Sequence, residues 1–291
     1  MQHNAVPPSS RNQLIPAIVA ASAFGCADVL TKYTFIAGAD VLTNTLFRGF
    51  VGLPMLAAAL LFGARPKALG ARATAVAVGI GLLFAGNVFC LFKAIELVPV
   101  PLAILTYFVY PVATGLLAAL FRLEAMGLRG LFAAIAAFFG LAALLNGGHD
   151  AGQLAGIGFA LAAAACRVVI LLVTRVGLTG ADPRLTTWYS ILVSTSVFAA
   201  MALASGDWQP PASAGGWAAM LGSSVAMTIA LLCIFISTAR VGPFRTALFM
   251  NLEPLIATIG SALFLGEGIT AVQALGGAVM IGALVVFQMR R

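Results

Sequence analysis

Residues 90–124, CLFKAIELVPVPLAILTYFVYPVATGLLAALFRLE, return 143 positions later as residues 233–267, CIFISTARVGPFRTALFMNLEPLIATIGSALFLGE. In one frame and without a gap, Cys90 meets Cys233, Phe92 meets Phe235, Val98 meets Val241, Pro111 meets Pro254 and Glu124 meets Glu267. The run Ala119-Leu120-Phe121 likewise meets Ala262-Leu263-Phe264. Matches of Ala and Leu are expected wherever two apolar sequences are compared. Matches of Pro, Cys and Glu in a single frame are not. The overlay runs from 90–143 onto 233–286, so the chain is built from two related halves.

Outward from that repeat, the sequence divides into ten apolar stretches: 14–36, 41–63, 73–98, 101–121, 128–146, 153–176, 184–204, 215–239, 243–265 and 270–289. Each is near the ~20 residues that cross a ~30 Å hydrocarbon core as a helix. The expected architecture is therefore an all-α polytopic membrane protein with ten transmembrane helices. A polar tail, 1–13, precedes a first unit at 14–146 (spans 1–5) and a second at 153–289 (spans 6–10). Five is odd, so two such units in one membrane point in opposite directions. Inverted repeats are an architecture of alternating-access carriers, with the site at the repeat interface near the midplane.

Charge is sorted by compartment. One set of alternate connections, with the two termini, holds Arg11, Arg65, Lys67, Arg72, Arg122, Arg129, Arg175, Arg184, Arg240, Arg245, Arg290 and Arg291. The other set (around Asp40, Val98 to Pro101, His149 to Asp150, Asp207 and Gly266 to Gly268) holds no Lys or Arg between the spans. By the positive-inside rule both termini are cytoplasmic. Glu124 then falls on the cytoplasmic side and Glu267 on the outer side, as inversion requires.

Composition agrees. The chain is 62% hydrophobic and 9% charged, with mean hydropathy +1.06, whereas a soluble domain is roughly a quarter charged. The net charge of +7 is the loop bias, spread one to three residues per loop, and does not point to nucleic acid. Long continuous apolar runs exclude a β-barrel, whose strands alternate. Cys26, Cys90, Cys166 and Cys233 lie inside apolar stretches, so neither a disulfide framework nor a metal site is expected, and no cofactor is implied. The loops are too short for a soluble catalytic or DNA-binding domain.

The stretch Phe249-Met250-Asn251-Leu252-Glu253-Pro254, followed by Gly266-Glu267 and Gln273-Ala274-Leu275-Gly276-Gly277, resembles the end of an EamA unit. The first half keeps Pro111 and Glu124 but has Tyr110 where that motif has Glu. The chain is thus identified as a member of the drug/metabolite transporter superfamily, and as a whole it is similar to the YddG-type exporters of aromatic and other neutral amino acids. The resemblance implies efflux of small metabolites across a bacterial inner membrane. It does not specify the substrate.

Intramembrane polar residues mark the candidate site. Glu253 lies mid-span, where a charge costs ~2.5–3.5 kcal/mol on insertion scales and must face protein or water. Beside Pro254 it reads either as a gating or coupling carboxylate or as a buried group satisfying backbone freed by the proline. Thr106, Tyr107, Tyr110 and Thr114 fall on one face of a helix, with Pro111 at mid-depth. Two phenols beside two hydroxyls suit an aromatic or amphipathic ligand; the alternative is a polar helix–helix seam. Asp28 and Lys32 are spaced to pair, while Lys32 can also snorkel outward. Lys93 and Glu96 sit near the outer mouth. Arg48 and Arg167 need a carboxylate, carbonyls or water, and a substrate carboxylate is one reading. Asn87 in its Gly-rich helix, Ser224 and Met227 in the matching helix, and Asn251 complete the expected cavity; Asp28, Pro111, Arg167, Glu253 and Pro254 are the expected gating or coupling residues.

The chemistry expected is secondary transport of amino acids or similar small metabolites by alternating access. No G-x-x-x-x-G-K-[ST] loop is present, so nucleotide hydrolysis is not the expected energy source. An enzyme is disfavoured: the only histidines, His3 and His149, lie outside the spans, and there is no H-E-x-x-H or G-x-S-x-G. A non-transporting scaffold leaves the mid-membrane charges unexplained. The expected partners are a small-molecule substrate and the lipid bilayer. A monomer suffices, with Gly148, Gly152 and Gly156 leaving a dimer open.

Overall fold

A computed structural model describes residues 11–288 apart from 67, 99, 125–126, 145–153, 207 and 267–268. Accordingly His3, Lys67, Gly148, His149, Asp150, Gly152, Asp207, Glu267, Arg290 and Arg291 lie outside the described residues, as do the side chains of Glu96 and Arg129.

The described residues are helical almost throughout, as a chain must be if its backbone is to satisfy itself in lipid. In chain order the helices are α1 (Arg11–Ile36), α2 (Val41–Leu61), α3 (Ala71–Leu97), α4 (Val100–Tyr107), α5 (Tyr110–Leu120) and α6 (Leu128–Leu144). They continue as α7 (Leu154–Gly177), α8 (Pro183–Ser205), α9 (Ala214–Val241), α10 (Pro243–Phe249), α11 (Leu252–Leu265) and α12 (Ala271–Gln288). Among them, seven helical stretches are long and apolar enough to cross a membrane, from Gln13–Ile36 to Pro243–Leu265. The protein is a multi-pass membrane protein. Large apolar side chains such as Phe50, Phe132, Phe139, Leu203, Leu263 and Phe264 face outward from the bundle, where lipid rather than water is the solvent.

Polar caps start the helices. Asp40 accepts the Thr43 N–H at 2.9 Å to open α2, and Ser213 accepts the Gly216 N–H at 3.1 Å to open α9. Asp182 does the same for α8 through the Arg184 N–H at 2.9 Å. The Arg184 guanidinium then returns to Asp182 and to the carbonyls of Ala59 and Ala64, tying α8 to the end of α2. These hydrogen bonds from Arg184 hold the Asp182 carboxyl below the usual carboxylate range.

Two expected spans are not single helices. The stretch 101–121 divides into α4 and α5 with a break at Phe108 and Val109; 243–265 divides into α10 and α11 with a break at Met250 and Asn251. Each break lies a few residues before a proline, Pro111 or Pro254. A proline has no N–H and its ring crowds the carbonyl four residues back, so the helix yields there and resumes with the proline in its first turn. The expectation that Thr106, Tyr107, Tyr110 and Thr114 share one face of a continuous helix is corrected by the same break, which falls between the two tyrosines.

Packing is paired across the halves. α1 lies along α9 and α3 along α7; α6 packs on α12 and α2 on α8. α1 also meets α11, while α7 meets α4 and α5; α3 meets α8, and α2 meets α9. Gly25 makes the approach of α1 to α11 possible, since a Cβ there would lie 2.7 Å from the Glu253 carbonyl oxygen.

Candidate functional site

A cavity of about 480 Å³ opens between α1, α3, α4 and α11. Its walls rise from mid-height (Phe24, Asn87, Tyr107, Arg167, Glu253) to Lys32 and Phe35 near the end of α1 and Ile269 just before α12. It therefore opens on the face that carries residues 37–40, Gly266 and Ile269, opposite the face bearing Arg65, Arg72, Arg122, Arg175, Arg184 and Arg240.

The helix breaks position the chemistry. Because α11 starts at Leu252, Glu253 stands in the first turn of a half-helix, whose N-terminal dipole favours a carboxylate. At the equivalent place in the other half, 143 residues earlier, is Tyr110 at the start of α5. The positions of Phe24 and Arg167 are related by the same shift. One half supplies two rings and the other an acid and a base, and they meet: the Arg167 guanidinium carbon lies 5.2 Å from the Phe24 ring centroid and 5.8 Å from that of Tyr110. Tyr107 and Tyr110 stand with ring centroids 5.2 Å apart.

Arg167 is only 4% exposed, and its Nε has no hydrogen-bond partner among the described residues. Asp28 is exposed within the cavity. Arg48 lines the same wall, donates to Thr31 Oγ1 at 2.8 Å, and lies close enough to Asp28 for their charges to act on one another. Glu253 lies within electrostatic reach of both Asp28 and Arg167.

Of the residues singled out from sequence, Asp28, Asn87, Tyr107, Arg167, Met227, Glu253 and Pro254 line the cavity. Asn87 is anchored by its side-chain N–H to the Ala163 carbonyl at 2.7 Å. Tyr110 is fully buried beneath the floor. Ser224 and Asn251 are turned to their own helices, donating to Met220 and Leu248 carbonyls at 2.7 and 2.8 Å. Thr106, Thr114 and Pro111 are not among the lining residues; Thr114 and Pro111 are buried on the α5 side. Phe24 and Thr31 are cavity residues that the sequence reading passed over: single residues in an apolar helix give no periodic signal.

The opposite end is sealed. All of α10 is buried, and it packs on α5. Glu124, just beyond α5, accepts the Phe244 backbone N–H at 2.9 Å on Oε2 and pairs with Arg245 Nε at 3.2 Å through Oε1. Gly242 makes room for it: its φ is +103°, and a Cβ there would sit 2.3 Å from Glu124 Oε2. Ser237 and Thr246 hydroxyls, 2.7 Å apart, and an Arg175 hydrogen bond to the Ala239 carbonyl fasten the same corner. Sequence reading placed Glu124 as a repeat marker and Arg245 as a loop charge, and did not join them.

A helical bundle with an apolar outer surface and a one-sided cavity, mostly apolar but carrying charged side chains, has the form of a membrane carrier. The profile of the EamA-like transporter family matches residues 13–146 and 154–289, and the chain belongs to that family. Its members are transporters rather than enzymes, and the general function is that of a secondary carrier of small metabolites. No curated protein matches the sequence. A solved structure, titled only "Crystal structure of protein", is similar with a TM-score of 0.79 at 20% identity, over 96% of this chain and 98% of its own. At that identity the likeness shows the fold alone.

Proposed function

We propose that this protein is an exporter of aromatic and neutral amino acids, or of similar small metabolites, working by alternating access in a bacterial inner membrane. Its units, 14–146 and 153–289, are inverted repeats of five spans, and both termini are cytoplasmic. The inverted reading is supported by the paired packing: exchanging the halves turns the α1–α9 contact into α7–α3 and the α2–α9 contact into α8–α3. The sidedness rests on the basic face, which is the sealed one.

One observation carries the mechanism. Exchange of the halves turns the packed pair α5–α10 into α11–α4, yet among the described residues α4 and α11 stand apart with the cavity between them. Of the packed pairs without a mirrored counterpart this is the largest, and we read it as the access path. Swapping which pair is closed moves the opening from one face to the other, with Pro111 and Pro254 ensuring that each half-helix can tilt without dragging its continuation. The cavity volume falls in the ~300–1,000 Å³ range of small-molecule sites. Rings from Phe24, Phe84, Phe92, Tyr107 and Phe108 suit an apolar or aromatic side chain, and the charges at mid-height suit a polar head.

Counterflow in liposomes tests this. Vesicles holding the purified protein and unlabelled phenylalanine or leucine are expected to accumulate the labelled amino acid transiently and saturably. Absence of counterflow for every amino acid would reject this substrate class. A saturable flux of other metabolites would then favour a carrier of different specificity in the same family.

A further inference from the structure

The cavity floor holds an arginine with unmet hydrogen-bonding capacity. Arg167 is nine-tenths buried at mid-membrane, fixed between the Phe24 and Tyr110 rings, and its Nε has no partner among the described residues. The Tyr110 hydroxyl is buried below the cavity surface, within reach of the same guanidinium. Buried polar groups are satisfied in nearly all native structures, and an exception calls for a specific reason. A guanidinium is always charged and presents its donors in a planar fork matched to a carboxylate. Stacking on two rings holds the fork in place but satisfies none of its N–H groups.

The other cationic groups facing the cavity sit higher in it. Arg48 donates to Thr31 and is offset by Asp28, and its Nε too has no partner among the described residues. Lys32 is exposed at a higher level on α1. Glu253 lies within electrostatic reach of Arg167, but no ion pair between them is formed. Asp28, one helical turn above Phe24 on α1 and exposed to the cavity, faces the space over that floor.

We propose that Arg167, held in place by the Phe24 and Tyr110 rings, forms a carboxylate-binding subsite at the floor of the cavity, and that Asp28 with Glu253 receives the substrate's ammonium group. The ligand class is a zwitterionic α-amino acid, bound with its carboxylate deepest and its side chain among the rings. This rests on the amino-acid reading given above and deepens it, by assigning the head group's orientation and the residues that select it.

The test measures binding of four probes to purified protein in detergent: phenylalanine, phenylalaninamide (no carboxylate), phenethylamine (no carboxyl group) and 3-phenylpropionate (no amine). Wild type is expected to bind phenylalanine at least ~10-fold more tightly than each of the other three, the loss expected for an unmade charge-assisted hydrogen bond. In Arg167→Gln, phenylalanine is expected to weaken to the level of phenylalaninamide, while phenylalaninamide itself changes less than ~2-fold. Asp28→Asn is expected to weaken phenylalanine and phenethylamine but not 3-phenylpropionate. Equal weakening of phenylalanine and phenylalaninamide in Arg167→Gln would mean that Arg167 only supports the fold, and would overturn the subsite while leaving amino-acid transport intact. Binding of none of the four would refute the amino-acid reading and the subsite with it. Should Arg167→Gln fail to fold, Arg167→Lys keeps the charge without the fork. It is expected to retain phenylalaninamide affinity and to lose several-fold for phenylalanine; unchanged phenylalanine affinity would count against the proposal.

Discussion

Glu124→Gln should unseal the basic face. In the structure the Glu124 carboxylate holds two groups of the α10 end at once, the Phe244 N–H at 2.9 Å and Arg245 at 3.2 Å, with the Glu124 and Arg245 side chains only 6% and 11% exposed. A hydrogen bond to a charged group contributes about 1.5–3 kcal/mol, and removing one partner of a buried pair costs about 3–5 kcal/mol. Gln keeps an acceptor for the N–H and loses only the charge, so about 2 kcal/mol is the expected loss to the sealed state. At about 1.4 kcal/mol per decade that is roughly a 30-fold shift in the ratio of sealed to unsealed conformers. The reporter is Ala247→Cys in a background where the four native cysteines are serine, since Ala247 is fully buried in the sealed state. Its labelling by an impermeant maleimide from the basic face should rise about 10- to 30-fold with Glu124→Gln. Gly242→Ala, whose Cβ would collide with the same carboxylate, should do likewise. Unchanged labelling in folded protein would refute the latch. The repeat adds a corollary. At the positions of Gly242, Phe244 and Arg245, the first half has Pro99, Pro101 and Leu102. A proline cannot take the positive φ of Gly242 and offers no N–H in place of that of Phe244, and leucine has no charge. The mirrored closure therefore lacks this latch, and the cavity-open state seen here is the expected resting state.

Three further perturbations have worked outcomes. Gly25→Ala places a Cβ 2.7 Å from the Glu253 carbonyl, so α1 and α11 must part; about 1–3 kcal/mol of stability should be lost, seen as a lower Tm in detergent together with slower counterflow. Arg122 carries φ +56° after α5, a left-handed conformation unfavourable for a side chain. Arg122→Gly should therefore raise stability by about 0.5–1 kcal/mol, read as a higher unfolding midpoint. Asp182→Ala removes the α8 cap and should cost about 1 kcal/mol at neutral pH. Because Arg184 lowers the Asp182 pKa in the folded state, that contribution is complete above the unfolded value of about 3.9 and disappears as pH falls through the folded one. The Tm gap between wild type and variant should therefore be constant from about pH 7 to 5 and close in stronger acid.

Much of the architecture was legible because membrane solvent imposes it. Hydropathy located the helices, and the 143-residue repeat paired Pro111 with Pro254, but the spans were expected to be continuous there and the breaks come from the structure. Charges placed in lipid must find a cavity, so Asp28, Arg167 and Glu253 were legible from sequence as residues that line one. The hydroxyls were not separable in this way. Ser224 bonds its own helix through the Met220 carbonyl, a choice fixed by rotamer and packing rather than by spacing. Thr114 and Tyr107 were grouped by a helical period that the break interrupts. The Glu124–Arg245 pair joins residues 121 positions apart through a tertiary approach that only Gly242 permits, and no local pattern encodes it.

The central claim, that one half-helix pair closes as the other opens, is tested most directly by cross-linking across the cavity. Ile104 on α4 and Ala257 on α11 face each other's side of it, and both positions are related by the repeat to Ala247 and Thr114 of the sealed pair. With cysteines at 104 and 257, a disulfide should form slowly in the resting protein and much faster during amino-acid exchange, and its formation should arrest counterflow until it is reduced. Vigorous counterflow with no cross-link under any condition would contradict alternating access by these helices.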